Sequence, residues 1–412
     1  MRLRRISLLI SLAAAGTMTV TAASASAAVP PSYRHDGSYT VPVSVTDSGA
    51  PAGASGYGVA VSGDGHAVAF LSPDPLLIGD QPDLGYGIFV HDLRTRTTTR
   101  VDLPNSGPPV AAGAPTADVS LDEHGTLAAF TTDADLLGDG QGERTRALVR
   151  DIRTHHTYRI DVSSRNVPAN GDAAGARISL DGRYVTFSSV ATNLVPGVGS
   201  GVGDVYIRDL RTGTTSLISA ALGHAPADGR STTPTISGDG RFVAFISAAS
   251  NLVPGDGNGS SDLFLRDRLH GTTTMIGSSA TYNSGGYSPS ISADGRYVAY
   301  QDFGTIKIYD RKTGTSRQLT AAIGGDAGWQ DLATPSIDAH GHYIAFEGRT
   351  SGPNGINGAA YRYDLRANRL ESAMGPLGNP QYGGVRDLAI SADGHAIAFS
   401  WDASMRLHHF GR

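Results

Sequence analysis

Seven copies of one short phrase run along this chain, and each closes on an aromatic residue: Phe70, Phe130, Phe187, Phe245, Tyr300, Phe346 and Phe399. The fullest copy reads Pro289-Ser290-Ile291-Ser292-Ala293-Asp294-Gly295-Arg296-Tyr297-Val298-Ala299-Tyr300. Successive aromatics stand 60, 57, 58, 55, 46 and 53 residues apart. A unit of this size, written in strands and turns, cannot bury its apolar face alone, so the units must share a core around a ring or along a solenoid. A length of 412 residues would ordinarily mean two or three domains, but one closed array absorbs it.

The fourth unit shows the internal grammar. Pro234-Thr235-Ile236-Ser237 reads as a short strand that ends at the hairpin signal Gly238-Asp239-Gly240. Arg241-Phe242-Val243-Ala244-Phe245-Ile246 is a nearly continuous apolar run, as expected of a strand covered on both faces. Asp262 to Asp267 forms a third strand, and Thr272-Thr273-Thr274-Met275-Ile276 alternates as an exposed edge should. Four antiparallel strands with the second most buried describe a propeller blade. The third strands of other units end the same way, at Asp92, Asp151, Asp209, Asp310 and Asp364. A carboxylate there, before a Leu-Arg-Thr-Gly-Thr-like turn, is expected to accept backbone N–H groups and not to do chemistry. The same reading covers Asp64, Asp181, Asp239, Asp294 and Asp393 in the first hairpins.

The seventh unit is incomplete. After Phe399 the chain offers one more strand, Met405 to Phe410, and no fourth. The missing edge is available at the other end, in Tyr39-Thr40-Val41-Pro42-Val43-Ser44-Val45, where Pro42 is tolerable because an edge strand can spare a donor. The expected fold is all-β: a seven-bladed β-propeller of four-stranded antiparallel blades over residues 38–412, preceded by a short segment at 28–37. The N-terminal strand is expected to complete the C-terminal blade.

These phrases resemble the WD40-like PD40 repeats of secreted bacterial TolB-type propellers, with Ser-x-Asp-Gly-Arg-Tyr-Val-Ala-Phe/Tyr as the shared core. The resemblance extends from about residue 38 to the end. Units three and four add Ala191-Thr192-Asn193-Leu194-Val195-Pro196-Gly197 and Ala249-Ser250-Asn251-Leu252-Val253-Pro254-Gly255, which look like a subset of such proteins. Unlike TolB itself, no separate α/β domain is legible between residue 28 and the first strand. The resemblance implies the fold and little about activity, because the family hosts binding scaffolds, peptidase-associated propellers and lyases.

Residues 1–27 read as a cleaved signal peptide: Arg2, Arg4 and Arg5, an apolar stretch from Ile6 to Val20, and the cleavage site Ala25-Ser26-Ala27. Export to the periplasm, the cell wall or the medium follows. Without those arginines the net charge moves from −5 to about −8, and no basic stripe offers itself to nucleic acid. The chain has no cysteine, so an exported product must be held by packing and ring closure. No later apolar stretch approaches a membrane span. The expected product is a soluble monomer.

Candidate chemistry is sparse. Asp256, Asn258 and Asp262 lie in an Asp-x-Asn-Gly-x-x-Asp loop whose alternating oxygens suit a calcium ion, although the closing glutamate of an EF-hand is missing. A plain Gly/Asn/Asp turn accounts for the same residues. His66, His342 and His395 hold equivalent positions after the hairpin glycine, which suggests interchangeable outward-facing residues and not a metal cluster. His155-His156 and His408-His409 are adjacent pairs that point oppositely on a strand. No Gly-x-Ser-x-Gly elbow occurs, so no catalytic residue is nominated. By propeller geometry, links into each first strand and links between second and third strands share one rim. That rim should gather Tyr282, Asn283, Tyr287, Trp329, Gln330, Asp331, Tyr382 and Arg386, a set suited to stacking on sugars or gripping a peptide. The leading expectation is a non-enzymatic scaffold for a protein, peptide or cell-envelope glycan. Its alternatives are a propeller-type polysaccharide lyase or hydrolase and a calcium-stabilised cell-surface structural protein.

Overall fold

In the computed structural model the residues described are 37–46 and 56–411, together with Ser32–Tyr33, Gly49 and Ala52; within the longer stretch 78–84, 111–117, 141–143, 279–287, 320–330, 353–354, 374–383, 386 and 402–403 are excepted. The strands form seven sheets, one for each repeat. In blades one to six the sheet order follows the sequence, from an innermost first strand to an outermost fourth. The inner strands are Tyr57–Val61, Val119–Leu121, Ala173–Ile178, Ser231–Ile236, Ser290–Ile291, Asp331–Ile337 and Leu388–Ile390. The seventh blade takes its outer strand from the N-terminus, as expected: Tyr39–Pro42 runs antiparallel to Ser404–His409. Ser32–Tyr33 then adds a fifth short strand beyond it. Pro42 pairs with Arg406 on its inner side, and that fifth strand stops at Tyr39 and Thr40, so the N–H that proline lacks would have faced outward.

The repeat aromatics explain why the units assemble. Each second strand is almost wholly buried, and its aromatic packs into the interface with an adjacent blade. Phe70 lies between blades seven and one, Phe130 between one and two, and Phe187 between two and three. Phe245, Tyr300, Phe346 and Phe399 fill the next four interfaces in turn. In four blades the ring stacks on a third-strand neighbour: Phe70 on Phe89, Phe187 on Tyr206, Phe245 on Phe264, Phe346 on Tyr361. Apolar burial is therefore shared between units, as the repeat length requires.

The Ser-x-Asp-Gly turns tie the inner strands together at one end. Ser62, Ser179, Ser237, Ser292 and Ser391 each donate to the aspartate two residues on, and that aspartate accepts the N–H two residues further. Blades two and six carry aspartate at the serine position, and one oxygen of Asp122 or Asp338 accepts two backbone N–H groups directly. Neighbouring turns also bond backbone to backbone all the way round: Asp64 to Glu123, Glu123 to Leu180, Asp181 to Gly238, Gly238 to Ala293, Ala293 to Ala339, Ala339 to Ala392 and Ala392 to Gly63. This girdle draws in the turn face of the ring. The hairpin glycine is required twice over: Gly240 has φ +71, and a Cβ there would sit 2.2 Å from the ring of Tyr184 in the preceding blade.

Candidate functional site

The two faces of the ring differ in kind. The turn face carries only short hairpins. The loop face carries every link from a fourth strand to the next first strand, and every link between second and third strands. In blades one to four the latter links are long, at 73–86, 133–145, 190–203 and 248–261. In blades five to seven the two strands instead pair to their tips, at Asp302 with Thr305, Gly352 with Gly355 and Trp401 with Ser404. Of the large apolar side chains exposed among the described residues, Leu76, Val167, Val190, Val202, Leu222 and Phe303 all belong to loop-face links. Tyr158 on an outer strand and Leu269 on the turn face are the others.

At the channel mouth one position of each inner strand repeats. Four inner strands are bulged there, with a left-handed residue in each bulge: Gly58, Gly175, Thr233 and Thr334 at φ +62, +67, +52 and +47. Glycine adopts that conformation freely, whereas a β-branched threonine followed by proline is strained in it. Blades two and seven hold aspartates at the equivalent position. Asp118 accepts the N–H of Gly175 at 3.2 Å and Asp387 that of Gly58 at 3.0 Å, so each clamps the next blade's bulge. Ser120, Ser290 and Ser336 make a second clasp two residues further along their strands, by accepting the N–H of Ile178, Ile337 and Ile390.

Two polar constellations occupy this mouth. On the blade-six side, Arg349 bridges Glu347 at 2.8 Å and Asp331 at 3.2 Å. Glu347 is buried, and that burial pushes its carboxyl above the usual carboxylate range against the pull of Arg349, with Asp331 and Asp387 adding repulsion. The second oxygen of Asp331 and the hydroxyl of Thr334 are buried without hydrogen-bond partners among the described residues. Across the mouth, a cavity of about 540 Å³ opens between blades three and four. Asp118, Gly175, Arg177, Ser188, Arg230, Thr233 and Ile246 are among its walls. Arg177 donates to Asp118 at 3.2 Å.

Of the rim residues expected from sequence, Asp331 stands at the start of the sixth inner strand. Tyr282, Asn283, Tyr287, Trp329, Gln330, Tyr382 and Arg386 lie outside the described residues, as does the 1–27 segment. Sequence reading missed Asp118, Arg177, Arg230, Glu347, Arg349 and Asp387. A signal for Glu347 did exist: the residue after the repeat aromatic is Leu71, Thr131, Ser188, Ile246, Gln301 and Ser400 in the other blades, so a carboxylate there is out of pattern. In the expected calcium loop, the Asn258 amide nitrogen donates to Asp262 at 2.9 Å while its oxygen accepts the N–H of Ser260. Burial and the nearby Asp262 carboxylate push Asp256 upward. As placed, Asn258 thus turns its nitrogen toward the carboxylate that would share the ion. The matching Asp204 in blade three is met by Ser200 and Ser219 hydroxyls. Among the described residues no group of three or more His, Asp or Glu side chains is arranged to hold a metal, and no helix is long and apolar enough to cross a membrane.

Solved structures with this fold include oligogalacturonate lyase from Vibrio parahaemolyticus, at TM-score 0.56 and 11% identity over 92% of this chain and 96% of that one. The β-propeller domain of the Trilobed protease from Pyrococcus furiosus, named for an open velcro topology, aligns at TM-score 0.52 and 11% identity over 88% and 95%. A protein assigned as TolB from Agrobacterium tumefaciens aligns at TM-score 0.42 and 14% identity over 87% and 90%. For the lyase and the protease domain, at such identities, the likeness is one of fold. No protein-family model matches the chain, and no curated protein matches it in sequence.

Proposed function

We propose that this chain is an exported TolB-like propeller that binds a protein, peptide or cell-envelope glycan through its loop face. One observation carries the reading: exposed large apolar side chains and long links gather on that face, while the turn face is trimmed to short hairpins. Scattered exposed apolar residues are ordinary, but a bias to one face of a rigid ring is what an interaction surface leaves. The signal-like 1–27 segment supports export.

The test is to immobilise the mature protein, expose it to envelope and secreted fractions of its source cells, and identify what is retained. Replacing Val190, Val202 and Leu222 together by serine should abolish specific retention, whereas Leu269→Ser on the turn face should leave it intact. Equal loss in both variants, or none in either, removes the loop face as the binding surface. A second reading, a propeller-type lyase or hydrolase, is favoured by buried Glu347 beside Asp331 and Asp387 at the same mouth. Under it, Glu347→Gln would keep retention of a polysaccharide and lose its cleavage.

A further inference from the structure

We infer that the cavity between blades three and four receives the C-terminal carboxylate of a peptide whose last side chain is small and apolar. The inference rests on the loop face being the binding face, and it names a ligand class for one part of it. A volume of about 540 Å³ is in the range that holds a few residues. Two guanidinium groups, of Arg177 and Arg230, line it against one carboxylate, Asp118. Asp118 is already engaged: one oxygen accepts the N–H of Gly175, and the other accepts a hydrogen bond from Arg177.

Arg230 is different. Its stem lies across Gly203, where an added Cβ would meet the arginine Cγ at 3.1 Å, and its side chain has no hydrogen-bond or ion-pair partner among the described residues. The cavity therefore carries an uncompensated positive charge on a planar fork, which suits a carboxylate. The rest of the lining selects what accompanies that carboxylate. Ile246, Pro234, Ala248 and Ala174 give a modest apolar wall, while Ser188, Thr232, Thr233 and Ser261 bring hydroxyls for main-chain amides. Among the described residues no aromatic ring lines the cavity, and that wall gives an acidic sugar no face to stack on. Thr233 is held at φ +52 in the wall itself, where blades one and three use glycine, so the strained residue is one that brings a hydroxyl to the cavity.

The probe is the mature protein titrated with a panel of acetylated tripeptides ending in Ala, Val, Phe, Lys or Glu, each as free acid and as C-terminal amide. The free acids ending in Ala and Val should bind, and amidation should weaken them about tenfold or more, the cost of removing a charge-assisted pair. Arg230→Ala should weaken the acids by a similar factor, leave the amides unchanged and leave the melting temperature unchanged, since the side chain is exposed. Equal binding of acid and amide overturns the inference, as does acid binding indifferent to Arg230→Ala. Absence of saturable binding by any free acid up to about 10 mM overturns it too. If Arg230→Ala still retains the loop-face partner from cell fractions as wild type does, the inference fails while the function stands. If wild type retains nothing, the function itself fails.

Discussion

Asp267 shows how little of a repeated carboxylate need be catalytic. Its Oδ1 accepts the N–H of Leu269 and of His270 across the turn, and Arg241 forks onto both its oxygens at 3.1 and 2.8 Å. Asp209 with Arg183 and Asp310 with Arg296 repeat the fork. The turn-capping half was legible in sequence because donor and acceptor lie within three residues. The fork was not, because Arg241 stands 26 residues away and meets Asp267 only when second and third strands pair. Arg241 above all, and the turn N–H groups, hold the Asp267 carboxyl well below the usual range, so folding favours the ionised form. The folded group resists protonation while the unfolded one titrates near its ordinary value. The stabilisation is therefore full above about pH 4 and shrinks as pH falls below it. Asp267→Asn keeps the N–H acceptor and loses the charge. It should cost about 1–3 kcal/mol at pH 7, and the gap from wild type should narrow at pH 3 in denaturant titrations.

Among the elements, the closing seam carries the most consequence per residue. Tyr39–Pro42 meets Ser404–His409 in a register that places Thr40 opposite His408 and Tyr39 opposite His409. Thr40 Oγ1 and His408 Nδ1 are hydrogen-bonded at 2.7 Å, and the Tyr39 ring stacks on His409 at 4.7 Å. Past the strand, Val43 N–H reaches the Met405 carbonyl, and Ser44 Oγ accepts the Met405 N–H. The incomplete last unit announced this seam in sequence. The pairing of Ser32–Tyr33 outside it was not legible, since two residues carry no periodicity. Burial, with His66 nearby, depresses the His409 pKa. The unfolded chain thus takes up a proton that the folded seam resists, and stability is lost as pH falls below about 6.5. His409→Phe keeps the stack without the titration. Its melting temperature should fall less than that of wild type between pH 7.5 and pH 5.5 (about two pH units spanning the ordinary histidine value), and an equal fall would take His409 out of the account.

For the whole molecule, the prediction concerns the shared interfaces. Phe245 is fully buried between blades three and four, and Phe130 between one and two. Truncating either to alanine should cost about 3–5 kcal/mol, and since each interface is a link in a closed ring, the loss should appear as one shifted unfolding transition by calorimetry. Blade-by-blade melting would contradict it. Blade number, strand order and ring closure could be read from sequence because each is written in contiguous residues: an apolar run, a Ser-x-Asp-Gly turn, an unfinished last unit. Local chemistry fixes those, and repetition makes them unambiguous. The functional face could not be read the same way. Asp118, Arg177 and Arg230 come from three blades, and Asp387 reaches Gly58 across 329 residues. Only the curvature of the ring brings such residues to one mouth. The sequence by itself determined the ring; the tertiary structure alone decided which side chains converge there, because that convergence depends on how blades pack and not on what any one blade contains.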